Sequence, residues 1–172
     1  MRDALAAEPA LADSLREPAA PLLLAPFLSP PLSPEQAEGM DLILEGFLLH
    51  HGRPRQLELA ERGRQVLAGD YCYAHGLVRV ADAGDLVVIE ALSDLISLGA
   101  GLAARGRTDA LAPLWRATAA AIAASAGPRS EADLAAFLAA KAALREADDV
   151  GPLAAIAGAL PPTPGLEAAL AP

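Results

Sequence analysis

The chain is expected to fold as an all-α bundle of five main helices, and three observations carry that expectation. The apolar content is high, 53%, while aromatic residues make up only 3%, so alanine and leucine supply most of it. Both residues lose little side-chain freedom in a helix. β-Branched residues rarely alternate with polar ones, so no segment shows the period of two that a half-buried strand requires. Apolar residues instead recur at helical spacing in five stretches, several of them opened by a capping residue.

Residues 1–34 carry Pro9, Pro18, Pro21, Pro26, Pro30, Pro31 and Pro34, a density that prevents long helices. At most one short helix is expected there, in a proline-rich arm. Ser33-Pro34-Glu35-Gln36 then offers an N-cap, a first-position proline and a capping-box glutamine. The helix it opens has Ala37, Met40, Ile43, Leu44, Phe47 and Leu48 on one face and ends near His51-Gly52. A second helix is expected over 56–82, with Leu59, Val66, Tyr71, Ala74 and Val78 near a common stripe. Asp82-Ala83-Gly84-Asp85 marks a break and restart. The third helix, 85–105, repeats Ile89, Leu92 and Ile96. Thr108 caps a fourth, carrying Leu111, Leu114, Trp115, Thr118 and Ile122 and stopping at Gly127-Pro128. Ser130 with Asp133 starts a fifth, to about residue 149, and a short alanine-rich piece covers 153–160. The expected organisation is an arm over 1–34, a bundle over 35–160 and a proline-rich tail over 161–172.

The net charge of −9 disfavours a nucleic-acid partner, which needs clustered lysine and arginine, and would repel an anionic membrane surface. A single cysteine, Cys72, excludes an internal disulfide and fits a reducing compartment. No signal peptide is expected at the start of the chain. The long apolar stretches 86–103 and 111–127 are interrupted by Glu90, Asp94 and Arg116, so no membrane span is expected. These features point to the cytoplasm.

One region is more specific. Residues 64–106 resemble the central helices of the trans-polyprenyl diphosphate synthase family. In that family a Leu-Ala-Gly-Asp helix follows an Arg-Arg-Gly-Lys-Pro loop. Here Leu67-Ala68-Gly69-Asp70-Tyr71 follows His50-His51-Gly52-Arg53-Pro54, with the family's usual separation from Gly52 to Gly69. Trp115-Arg116-Ala117-Thr118-Ala119-Ala120 resembles the family's Lys-Thr-Ala helix. Residues 143–149, Ala-Leu-Arg-Glu-Ala-Asp-Asp, resemble the helix bearing its second aspartate-rich motif. The likeness spans roughly residues 36–152 in family order and implies a truncated isoprenoid (terpenoid) synthase fold.

The resemblance also implies what chemistry the site would need. Ionising an allylic diphosphate separates an anionic leaving group from a carbocation. The family holds magnesium between two aspartate-rich motifs to stabilise that anion, and cationic side chains grip the diphosphate. In this chain the first motif falls on Asp41-Leu42-Ile43-Leu44-Glu45, and the second reads Asp148-Asp149-Val150-Gly151-Pro152. The arginine pair is replaced by His50-His51, weaker diphosphate ligands, and the lysine by Ala117. Losing carboxylates from both clusters together with the cationic clamp should cripple ionisation. No catalytic residue is assigned.

The implied role is therefore an accessory or regulatory subunit that is not catalytic alone. It would pair with a catalytic prenyl diphosphate synthase or with itself, as in synthases built as unequal dimers with one inactive partner. Small residues on the third and fourth helices (Gly99, Gly101, Ala103, Ala119, Ala120 and Ala123) would suit such an interface. Two alternatives stand beside it. One is residual prenyl diphosphate binding or transfer through Mg²⁺ on Asp41, Glu45, Asp148 and Asp149, with His51, Arg53 and Arg55 on the diphosphate. The other is a helical adaptor unrelated to isoprenoids. Cys72-x-x-His75 puts two metal-ligand types on one helix face without a second pair at metal-site spacing, so Cys72 is expected to be a small buried residue.

Overall fold

A computed structural model describes residues 1–29, 31–81, 85–126, 130–163 and 165–171. The described residues form an all-α bundle. Extended pairing among them is confined to an isolated antiparallel bridge between Leu15 and Leu57.

The arm is more ordered than its prolines suggest. Three short helices, α1 (Arg2–Ala7), α2 (Pro9–Ala12) and α3 (Ala25–Leu28), form where proline sits in a first turn or is absent. Leu5, Leu24 and Leu28 from these pieces are fully buried, so the arm contributes to the core. α4 (Pro34–His51) begins with the expected capping box: Ser33 Oγ accepts from the Gln36 N–H, and Gln36 Oε1 accepts from the Ser33 N–H.

α5 (Arg62–Ala81) starts later than expected, because residues 56–58 pair with residues 14–16 instead of entering a helix. Its buried face also differs from the predicted stripe. Ala68, Gly69, Cys72, Gly76 and Val80 face the core, whereas Val78 is 70% exposed and Ala74 is exposed. α4 and α5 run antiparallel and close together, with Gly39 opposite Gly76 and Gly46 opposite Gly69. A Cβ on Gly76 would lie 2.6 Å from Ile43 Cγ1 and 2.7 Å from the Gly39 carbonyl oxygen. Glycine is required there by the approach of the two backbones.

α6 (Leu86–Ala104) is capped by Asp85, whose carboxylate accepts from the Val87 N–H. Val88, Ala91, Leu92, Leu95, Gly99 and Leu102 are buried; of the predicted positions, Leu92 is buried, Ile96 partly so, and Ile89 is 43% exposed. Among the described residues α6 is one helix long and apolar enough, by length and composition, to cross a membrane, and 33% of it is buried. It nevertheless carries Glu90 and Asp94, both facing Lys141. A 3₁₀ turn at Thr108–Ala110 leads into α7 (Leu111–Ser125), on which all five predicted core residues are buried. Trp115 meets Phe47 of α4 edge-on, with ring centroids 5.7 Å apart.

Ser130 caps α8 (Glu131–Ala147), as the sequence predicts. α9 (Gly151–Gly158) follows. The tail adds an unexpected helix, α10 (Leu166–Leu170): the chain turns through Gly165 at φ 85°, and Leu166 and Leu170, one turn apart, are both buried. The expected break at 82–84 and stop at 127–128 lie outside the described residues.

Candidate functional site

Asp41 and Glu45 stand one turn apart on α4 and point the same way, as i and i+4 residues must. Both are almost wholly buried, 3% and 2% exposed. Each carboxylate is engaged by three consecutive backbone N–H groups. Asp41 accepts from Leu23 (2.8 Å), Leu24 (3.1 and 3.2 Å) and Ala25 (2.7 Å), which closes the entrance to α3. Glu45 accepts from Arg55 (3.0 Å), Gln56 (2.8 Å) and Leu57 (3.1 Å) in the loop after α4. These loops are also joined to each other. The Arg55 guanidinium donates to the Pro21 carbonyl and the Gln56 amide to that of Ala20, each at 2.9 Å.

Burial pushes the pKa of both carboxyls above the ordinary value, against the downward pull of the N–H donors and the Arg55 charge. The lone pairs that a metal would need are directed at peptide nitrogens. The two residues thus act as anchors that tie two loops to one helix.

Asp148 and Asp149 are employed elsewhere. Asp148 ends α8 in a left-handed conformation (φ 53°) and pairs with Arg107, with Arg105 at 3.7 Å. Asp149 Oδ1 accepts from the Gly151 N–H at 2.8 Å, closing a local turn that leads into α9. Among the described residues no three His, Cys, Asp or Glu side chains are grouped to hold a metal ion.

The predicted diphosphate ligands lie at and beyond the C-terminal end of α4. His51 is exposed, with its ring 5.0 Å from that of Phe47. Desolvation, followed by the charges of His50 and Arg62, lowers its pKa. His50 stacks on Tyr73 at 5.3 Å, and its Nε2 lies 3.1 Å from Asp70 Oδ1, out of line for a hydrogen bond. Arg53 and Arg55 are brought together on the wall of a hollow of about 340 Å³ that α10 completes with Ala168 and Ala169. Arg62 escaped sequence reasoning. Its guanidinium donates to the Leu49 and His50 carbonyls and so satisfies the end of α4, where cations are favoured.

Cys72 is fully buried, and burial raises its thiol pKa far above the usual value. His75 turns outward and packs on Tyr71 at 4.1 Å. A second polar feature absent from the sequence reading is a strut between α6 and α8. The nearly buried Lys141 lies 2.5 Å from Asp94, which also accepts from Arg145 at 2.7 Å. Only pairing over long sequence separations reveals it; helical periodicity places Lys141 merely beside Phe137, whose ring it covers at 4.9 Å. No family model, curated protein or solved structure matches this chain.

Proposed function

We propose that the chain is a non-catalytic, polyprenyl synthetase-like subunit that works in the cytoplasm beside a complete prenyl diphosphate synthase, stabilising it or shaping the cavity that sets product length. The observation that carries this reading is the employment of Asp41 and Glu45. The residues that align with the first aspartate-rich motif are bonded to six backbone N–H groups and serve folding. Releasing either carboxylate to a magnesium ion would orphan three donors, each costing about 1–3 kcal/mol when buried. The sequence resemblance over residues 36–152 supplies the family context, and on this reading the bundle is a truncated terpenoid synthase fold.

The partner-facing side on this reading is the outer face of α6, where Leu86 is 78% exposed and Ile89, Ile96, Ala100 and Ala103 extend the apolar strip. Of the small residues predicted for an interface, Gly99 and Ala119 are turned inward, which leaves Gly101, Ala103, Ala120 and Ala123 partly accessible. Co-expression with a catalytic synthase from the native cell tests the proposal. A stable complex with altered product length, weakened by Leu86→Glu with Ile89→Glu, is the expected outcome. Condensation of isoprenoid precursors by the purified chain alone would overturn it.

A further inference from the structure

α7 presents two unlike faces. Leu111, Leu114, Trp115, Thr118 and Ile122 fill the main core. Toward α8 and α9 the same helix offers Ala117, Ala120, Ala121 and Ala124, and these small side chains leave the space between the three helices unfilled. The result is a half-open cavity of about 350 Å³, with Phe137 of α8 and Ile156 of α9 on its other walls. The Lys141–Asp94–Arg145 strut fastens α8 to α6. It fixes α8 by charge pairing where side-chain packing against α7 is thin.

The cavity is chemically polarised. Its walls are apolar, but Ser125, Ser130 and Asp133 lie among its lining residues where α7 ends and α8 begins. Ser125 Oγ already donates to the Ile122 carbonyl, and Ser130 Oγ accepts from the Asp133 N–H, so both oxygens have lone pairs left to accept further hydrogen bonds. Asp133, exposed at the mouth, contributes its carboxylate. The positive end of the α8 dipole, which would otherwise welcome an anion, is offset by Glu131 and Asp133 in its first turn. No lysine or arginine lines the cavity among the described residues; Arg129, next to Ser130 in sequence, lies outside them.

The geometry points to a binding site for a single-chain amphiphile whose head donates hydrogen bonds and carries no negative charge. At about 30 Å³ per water-sized group, close to a methylene, the cavity holds a chain of roughly ten to twelve carbons. An apolar pocket with a few convergent polar groups is the usual form of a small-molecule site. Charge selects the head: an ammonium or hydroxyl meets acceptors, whereas a carboxylate or phosphate meets Asp133.

Calorimetric titration of the full chain with decylamine, 1-decanol, decanoate and decyl phosphate, each below its micellar concentration, tests this. Decylamine and decanol should each saturate one site per chain, with the two anions at least about tenfold weaker. Ala124→Leu, at an exposed position on the cavity mouth, should weaken all four ligands while leaving the melting temperature unchanged. Ala121→Leu, deeper in the wall, should likewise weaken all four ligands without lowering the melting temperature, and repeats the test if the first variant is poorly folded. Asp133→Asn should narrow the gap between the amine and the two anions. Absence of saturable binding by decylamine and decanol, anions binding as tightly as neutral or cationic chains, or undiminished binding to both leucine variants would each overturn the assignment.

Discussion

The α4–α5 pair and the α7–α8 pair are both rich in small residues, yet one is closed and the other is open. On α4 and α5 the small residues are glycines facing glycines in register, Gly39 to Gly76 and Gly46 to Gly69, and the backbones come together until no Cβ fits between them. On α7 the small residues are alanines, α8 answers them with Leu134 and Phe137, and a cavity remains. Small side chains do not by themselves bring helices together. Close approach follows when both surfaces are stripped at matching heights and other bonds pull the pair inward. For α4 and α5 the Arg62 guanidinium does this by bonding the Leu49 and His50 carbonyls, whereas the strut through Lys141 holds α8 to α6.

Four substitutions would break or sharpen that contrast. Asp41→Ala should have the largest effect, because it leaves three buried N–H groups without an acceptor; a loss of about 3–5 kcal/mol in urea-unfolding stability is expected. Asp94→Ala strips Lys141 of its close partner while the ammonium stays buried, and should cost about 3 kcal/mol by the same measurement. Gly76→Ala sets the roughly 1 kcal/mol helical advantage of alanine against a Cβ forced onto the Gly39 backbone, and a net loss of about 2 kcal/mol is expected. Ala121→Leu adds a larger side chain at the cavity wall and should change stability by no more than about 1 kcal/mol, with the sign toward stabilisation. If Gly76→Ala and Ala121→Leu gave equal losses in parallel thermal melts, the two helix pairs would not differ in packing as described.

Elements that declare themselves through local chemistry were legible in the sequence. The capping residues Ser33 and Ser130 and the leucine-rich face of α7 needed only neighbours three or four positions away. The buried face of α5 was not legible, because glycine has almost no hydropathy and its packing role appears only against a second helix. Periodicity accordingly favoured Val78 over Gly76. The candidate site was legible in a different sense. The family resemblance names Asp41 and Glu45 together, but their carboxylates meet residues 16–18 and 10–12 positions away, and no helical pattern encodes such partners. Proline density likewise overstated the looseness of the arm, since Leu5, Leu24 and Leu28 gain burial only once α4 is in place.

The two carboxylate anchors also link parts of the chain in time. Leu23 to Ala25 and Arg55 to Leu57 hold their amides on side chains that α4 alone presents, so neither loop can detach while that helix persists without stranding a buried charge. The proline-rich beginning of the protein, the long helix and the connection after it therefore open and close as one cooperative body. Slow amide exchange at Leu24 and Gln56 should follow that of the helix interior and set them apart from other loop positions.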